Sequence, residues 1–191
     1  MMKKLIIPKG AYGYIENRKV FSALRTLVYF LVCIGLYVMG YVTTGSNKNL
    51  LTIVAILGTL PACKSAVNMI VFLRARGCSE ALKKKVCVYD ANLTALYDMY
   101  FTSYQKNFAV SHMALKGNVL CGVTEDPKCD INEAEKHLEQ MLTQEGIKNV
   151  TVKIFNHTEK YIDRLSQMEK LETDEHRKLE DLIRLLYSIS L

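Results

Sequence analysis

Two acids and a histidine in the second half of the chain are the residues best suited to chemistry. Asp98, His112 and Glu125 carry side chains that can act as general acids or bases, and carboxylates can also hold a divalent metal. Cys121 and Cys129 could join His112 at a zinc ion, but the chain has no C-x-x-C or H-x-x-x-H spacing. We therefore name Asp98, His112 and Glu125 as candidate catalytic residues and predict no metal site and no cofactor. Without a complete motif, the sequence favours a protein that is not an enzyme.

Three strands are predicted to position these residues. The segment TALYDMYFTS (94–103) alternates with a period of two, which is typical of a strand with one buried face. Its two faces are Ala95, Tyr97, Met99 and Phe101, and Leu96, Asp98, Tyr100 and Thr102. FAVSHMALK (108–116) is predicted as the second strand, Gly117-Asn118 as a tight turn and VLCGVT (119–124) as the third strand. The same alternation groups His112 with Phe108, Val110 and Ala114, as expected for a core histidine.

The remaining elements complete a small domain over residues 86–191. A helix capped by Ser79 precedes the strands, and Asp130 caps a further helix that ends at Gly146. NVTVKIFN (149–156) is predicted as a fourth strand, and two helices follow it. The order αβββαβαα predicts an α/β (α+β) domain with a mixed sheet of about four strands.

This order of elements resembles the core of the PD-(D/E)XK restriction-endonuclease-like superfamily, over residues 79–156. The resemblance implies an acid on the second core strand and an E-x-K pair on the third, where carboxylates hold a metal and lysine assists a water. Here Asp98 lies on the first predicted strand, and Ala114-x-Lys116 has the spacing without the acid. Glu125-Asp126-Pro127-Lys128 has acids and a lysine in another register, interrupted by proline.

Two apolar segments precede the domain. Residues 26–43 form an uncharged run of about 27 Å as a helix, close to the roughly 30 Å of a bilayer core. Residues 50–73 form a second, longer run, and 44–49 a short polar turn between them. The sequence therefore predicts a transmembrane hairpin of two helices. The first run lacks a small-x-small cleavage pattern, which favours a retained anchor over a signal peptide.

The basic residues predict the orientation of this hairpin. Residues 1–25 and the segment 74–85 carry Lys and Arg, whereas the turn carries Lys48 alone. By the positive-inside rule, both termini face the cytoplasm and the turn lies outside, so we expect a multi-pass protein of the cell membrane with cysteines in a reducing compartment. Residues 1–85 hold 13 Lys and Arg against two acids, and residues 86–191 hold 12 against 17. This distribution predicts contact with anionic lipid headgroups and argues against a nucleic-acid partner.

The second apolar segment contains an unusual stretch, GTLPACKSAVNM (58–69). Pro61 predicts a kink, and Lys64 and Asn68 share one helix face, so these three residues form a candidate polar face inside the membrane. Small residues on another stripe would let a second helix approach closely; they are Gly58, Ala62 and Ala66. Two interpretations stay open for Lys64: a role in assembly, partner binding or passage of a solute, or a side chain that snorkels to the headgroups.

These observations lead to three expectations for function. The first is a membrane-anchored cytoplasmic binding or regulatory module that self-associates, or binds another membrane protein, with the apolar last helix (residues 176–191) as a possible dimer contact. The second is a membrane-tethered metal-dependent enzyme of the restriction-endonuclease-like class, with an intact or a degenerate active site. The third is a small oligomeric channel or transporter subunit lined by Lys64 and Asn68.

Overall fold

The computed structural model describes residues 7–46, 48–103, 106–147, 149–171 and 176–191. Within them the chain forms six helices and one four-stranded sheet. The helices are α1 (Tyr14–Thr44), α2 (Leu50–Arg74), α3 (Glu80–Val86), α4 (Ile131–Gln144), α5 (Thr158–Glu169) and α6 (His176–Ile189). The strands are β1 (Thr94–Thr102), β2 (Asn107–Lys116), β3 (Val119–Val123) and β4 (Thr151–Phe155). Between the first two predicted strands the sequence also predicts a turn at 104–107, and it predicts the start of the last helix at 173–174; these two segments lie wholly or partly outside the described residues.

The sheet has the order β1-β2-β3-β4, in which β1, β2 and β3 are antiparallel neighbours and β4 lies parallel to β3. Helix α4 connects β3 to β4, as a parallel pair requires a crossover. The mixed four-stranded sheet and the predicted order of elements are thus confirmed. The sequence indicated this order because turn residues and helix caps mark where the elements begin and end. Gly117 adopts a positive φ between β2 and β3. The Asp130 side chain accepts a hydrogen bond from the Glu133 N–H at the start of α4.

Helices cover both faces of the sheet, so the strands contribute to two apolar cores. The first, here called the α4/α6 core, contains Leu138 and Leu142 of α4, Leu182 and Leu186 of α6, and the strand residues Leu96, Met99, Phe101, Phe108, Val110, Met113, Leu115, Leu120, Val152 and Ile154. The second, the α3/α5 core, contains Leu82 and Val86 of α3, Tyr161, Leu165 and Met168 of α5, and the strand residues Tyr97, Ala114, Cys121 and Val123.

The chain divides into two compact units. The α/β unit comprises Met1–Tyr14 together with Arg76–Leu191, and the hairpin unit comprises Ile15–Ala75. The α/β unit is therefore larger than the predicted domain of residues 86–191, because segments from both sides of the apolar helices belong to it.

Two helices, α1 and α2, are long and apolar enough to cross a membrane. Helix α1 begins at Tyr14, twelve residues before the predicted span, because a polar helical segment with a Lys19–Glu16 ion pair of 2.6 Å runs into the apolar residues without a break. It ends at Thr44, and the positive φ of 65° at the next residue, Gly45, is typical of the position after a helix C-terminus. Helix α2 is capped by the Asn49 side chain and continues through Pro61 to Arg74.

Candidate functional site

Two of the candidate catalytic residues, Asp98 and Glu125, hold the same short segment of the chain. The Asp98 carboxylate accepts a hydrogen bond of 2.6 Å from the Cys78 N–H. The Glu125 carboxylate accepts one of 2.9 Å from the Ser79 N–H and one of 2.6 Å from the Ser79 hydroxyl. A Cβ atom on Gly77 would lie 3.1 Å from the Asp98 Oδ1 atom. The two carboxylates thus dock residues 77–79, which connect α2 to α3, onto the sheet.

Asp98 reaches this segment because β1 loses its regular alternation at this residue. Leu96 and Met99 both belong to the α4/α6 core, although residues three apart on a regular strand point to opposite faces. Asp98 lies between them with a φ of 56°, a conformation that Asp tolerates better than most residues. The predicted face of Ala95, Tyr97, Met99 and Phe101 is therefore wrong: Tyr97 contributes to the α3/α5 core and Met99 to the α4/α6 core.

Strand β2 also loses its regular alternation, at the position opposite Asp98. Tyr97 pairs with His112 and Met99 with Val110, so that Asp98 and Ser111 face each other between these pairs. Val110 and Met113 both lie in the α4/α6 core. The predicted grouping of His112 with Phe108 and Val110 is therefore wrong. Because the irregularity occurs in both strands, the pairing register of β1 and β2 is the same before and after it. The alternation of residue types in the sequence does not reveal the irregularity.

The shifted alternation places His112 in a buried polar network against α5. Its Nδ1 atom lies 2.7 Å from the Tyr161 hydroxyl, and both side chains are buried. Its Nε2 atom lies 3.5 Å from Asp90 Oδ1, and neither of these two atoms has a hydrogen-bond partner among the described residues. The Tyr97 hydroxyl donates a hydrogen bond of 2.6 Å to the other Asp90 oxygen. Tyr97, Asp90, His112 and Tyr161 therefore form one chain of polar contacts.

Burial decides the charge of this network. It lowers the pKa of His112 to about 4, against the opposing attraction of the Asp90 carboxylate. Burial also raises the pKa of Tyr161 well above its usual value, and it does the same to the pKa of Tyr97, where the hydrogen bond to Asp90 adds to the effect. At neutral pH His112 is a neutral imidazole between two neutral phenols. With His112 only 1% exposed, the arrangement suits a structural network more than contact with a substrate.

The segment before α1 is attached to strand β1, a contact that our sequence analysis did not predict. The Gly10 carbonyl accepts a hydrogen bond of 2.7 Å from the Tyr97 N–H. The Lys9 ammonium group donates to the carbonyls of Tyr187 and Ser190 at the end of α6. The Tyr12 ring packs edge-on against Tyr97 with centroids 6.0 Å apart. The two glycines of PKGAYG are the available signal, since both adopt a positive φ.

The hairpin unit holds together through small residues in a seven-residue register. The Thr26 and Ser65 hydroxyls lie 2.8 Å apart, a Cβ atom on Gly58 would lie 3.1 Å from the Cys33 sulfur, and one on Gly40 would lie 2.9 Å from Leu51 Cβ. Contact residues thus recur every seven positions on each helix, as in an antiparallel coiled coil.

Of the predicted packing stripe, Ala62 is buried and Gly58 contacts α1, while Ala66 is half-buried and Ser65 occupies the buried position beside it. In the predicted polar face, Pro61 and Lys64 are exposed and Asn68 is half-buried. The two stripes therefore lie on different sides of α2.

The cysteines and histidines do not assemble into a metal site in the part of the chain that the structure describes. No group of three or more His, Cys, Asp or Glu side chains there could hold an ion. Cys121 is buried and Cys129 is partly buried, each against an apolar core.

Comparison with protein-family models, curated proteins and solved structures found no match to this chain.

Proposed function

We propose that this protein is a membrane-anchored binding or regulatory module. Its two apolar helices cross the cell membrane with both termini in the cytoplasm, and its α/β unit binds a partner there. Copies of the chain associate, or the hairpin unit associates with another membrane protein.

The observation that carries this proposal is the attachment of both connecting segments to adjacent residues of β1. The Tyr97 N–H binds the Gly10 carbonyl, at the segment that enters α1. The neighbouring Asp98 carboxylate binds the Cys78 N–H, in the segment that leaves α2. A change at this point of β1, caused by a partner on the α/β unit, would reach both ends of the hairpin. That is what a module needs if binding in the cytoplasm is to be linked to its membrane helices.

The apolar surface of the hairpin unit supports the membrane part of the proposal. Large apolar side chains are exposed along both helices, among them Leu27, Leu31, Val38, Ile53, Leu57 and Leu60. A continuous exposed apolar surface of this size marks a contact with lipid or protein. Basic residues flank both helices on the side away from the turn, which supports termini in the cytoplasm.

The buried network supports a binding role over catalysis at His112. His112 and Tyr161, whose side chains could transfer protons, are buried between α5 and the sheet. Asp98 and Glu125 are engaged with backbone N–H groups, and a metal-dependent reaction would need them to release residues 78 and 79. Titration of the full chain with Mg²⁺ or Mn²⁺ tests the alternative of a metal-dependent enzyme. Specific metal binding that is lost in the variant Glu125→Gln would favour the enzyme.

Thiol labelling in cells tests the anchoring and the orientation. The variant Ser46→Cys places a thiol in the turn, and Cys87 is an exposed thiol on the α/β unit. We expect a membrane-impermeant maleimide to label Ser46→Cys in intact cells and Cys87 only after the cells are opened, with Cys87→Ser as control. Recovery of the protein in the soluble fraction, or labelling of Cys87 in intact cells, would contradict the proposal. Chemical crosslinking of the full chain in membranes tests the self-association.

A further inference from the structure

The contacts within the hairpin unit place two cationic side chains at one level. The Arg25 Nε atom donates a hydrogen bond of 3.2 Å to the Ser65 hydroxyl, which also lies 2.8 Å from the Thr26 hydroxyl. Lys64 precedes Ser65 in the chain, and one residue is only about 1.5 Å along a helix. Arg25 and Lys64 are therefore level with each other, although the sequence places them in different helices.

This level corresponds to the inner boundary of the proposed span. Arg25 directly precedes the uncharged run of residues 26–43, whose length of about 27 Å is close to that of a bilayer core. Counted along α2 alone, Lys64 is ten residues from Arg74, or about 15 Å deep. The contact of Ser65 with Arg25 instead places Lys64 level with the start of the uncharged run in α1. Residues 66–73 of α2 then lie beyond this boundary, beside residues 17–24 of α1, so the inner boundary on α2 is earlier than the end of the predicted span at residue 73.

The charges at this level have no counter-ion within the hairpin unit. Its one acid is Glu16, which pairs with Lys19 at 2.6 Å and lies nine residues before Arg25. Only the Nε atom of Arg25 has a described partner, and Lys64 is exposed without one in the described part of the chain. An arginine has five N–H donors and a lysine has three, so most donors at this level are available to an anion.

We propose that Arg25 and Lys64 bind the phosphate of an anionic lipid at the cytoplasmic boundary of the membrane. The proposal rests on the membrane anchoring described above. A phosphate matches these residues because guanidinium and ammonium groups are donors only, and a headgroup phosphate is the anion present at this depth. Bound lipid would offset the cost of placing two cations next to the hydrocarbon core.

Lipid selectivity of the full chain in nanodiscs tests the site. The protein is reconstituted in phosphatidylcholine with and without phosphatidylglycerol, and the lipids that stay bound are counted by native mass spectrometry. The variants are Arg25→Gln and Lys64→Gln. Lys48→Gln is the matched control, since it removes one charge from the turn and both leaflets of a nanodisc contain the same lipids.

We expect retained phosphatidylglycerol in the wild type and in Lys48→Gln, and about fivefold weaker retention in each of the other variants, as for loss of one charge near an anionic surface. Inorganic phosphate added to phosphatidylcholine nanodiscs should not replace the lipid. Equal retention in all variants would overturn the lipid site and leave the anchoring intact; this is also the result expected if the charges pair with a carboxylate of another membrane helix. A chain that does not enter nanodiscs would overturn the anchoring as well.

Discussion

The carboxylate of Asp98 accepts a hydrogen bond of 2.6 Å from the backbone N–H of Cys78, twenty residues earlier in the chain. Asp98 is 3% exposed and has a φ of 56°, so its backbone conformation and its side chain both serve this contact. The contact ties the segment after α2 to the middle of an edge strand.

Three substitutions at Asp98 separate the two contributions. Asp98→Ala removes the acceptor and is strained at a positive φ, so we expect a loss of about 2–4 kcal/mol in the free energy of unfolding. Asp98→Gly removes only the acceptor and should cost less, and Asp98→Asn keeps an acceptor and should cost least. Chemical denaturation of the full chain in detergent, followed by circular dichroism, measures the series. Equal effects of Ala and Asn would show that the contact with Cys78 contributes little.

The attachment of the N-terminal segment is tested by a pair of glycines. Gly10 and Gly13 have φ values of 81° and 82°, so alanine at either position carries the same backbone strain. A Cβ atom on Gly10 would lie 2.8 Å from the Tyr187 ring, whereas one on Gly13 would meet only the Ile7 side chain at 3.5 Å. We expect Gly10→Ala to destabilise the protein by about 1–3 kcal/mol more than Gly13→Ala. Thermal unfolding of both variants measures the difference, and equal melting temperatures would contradict the described packing.

Acidification should destabilise the protein through His112. Burial lowers its pKa from 6.5 to about 4 in the folded protein, so between these pH values the unfolded chain binds a proton that the folded chain does not. Stability is therefore complete above about pH 6.5 and falls as the pH drops towards about 4, by up to about 3 kcal/mol.

Urea denaturation of the full chain across this pH range measures the effect, and His112→Gln should flatten the dependence. His137→Gln is the matched control: burial lowers the pKa of His137 too, but this residue is only half-buried and should account for a smaller share. An unchanged pH dependence in His112→Gln would show that His112 does not determine it.

Close contact of α1 and α2 near the turn predicts different effects for two glycines of the same helix. A Cβ atom on Gly40 would lie 2.7 Å from the Asn49 side chain and 2.9 Å from Leu51 Cβ, whereas one on Gly35 would meet nothing within 4 Å. We expect Gly40→Ala to lower the melting temperature in detergent, at a cost of about 1–3 kcal/mol. Gly35→Ala should be neutral or stabilising, because alanine favours helix. A larger loss for Gly35→Ala would contradict the seven-residue register.

Local signals in the sequence were sufficient for the elements and their order. Asp130 and Ser79 cap helices where expected, and a Gly117-Asn118 turn joins β2 to β3. The length of the uncharged run before Thr44 likewise indicated a helix able to cross a membrane. These features depend on neighbouring residues and on the periodicity of side chains, which a single sequence contains.

Only the tertiary structure decided what the candidate residues do. Regular alternation would put His112 beside Val110, but an irregularity shared by Asp98 and Ser111 turns His112 towards Tyr161 and frees Asp98 to hold Cys78. The level of Lys64 along α1 likewise follows from its neighbour Ser65, whose hydroxyl contacts that of Thr26, 39 residues earlier in the chain. Each of these results depends on contacts between distant parts of the chain. The residue types that form them also fit a regular strand or helix, so the sequence by itself determines the elements and leaves their pairing to the packing of the folded chain.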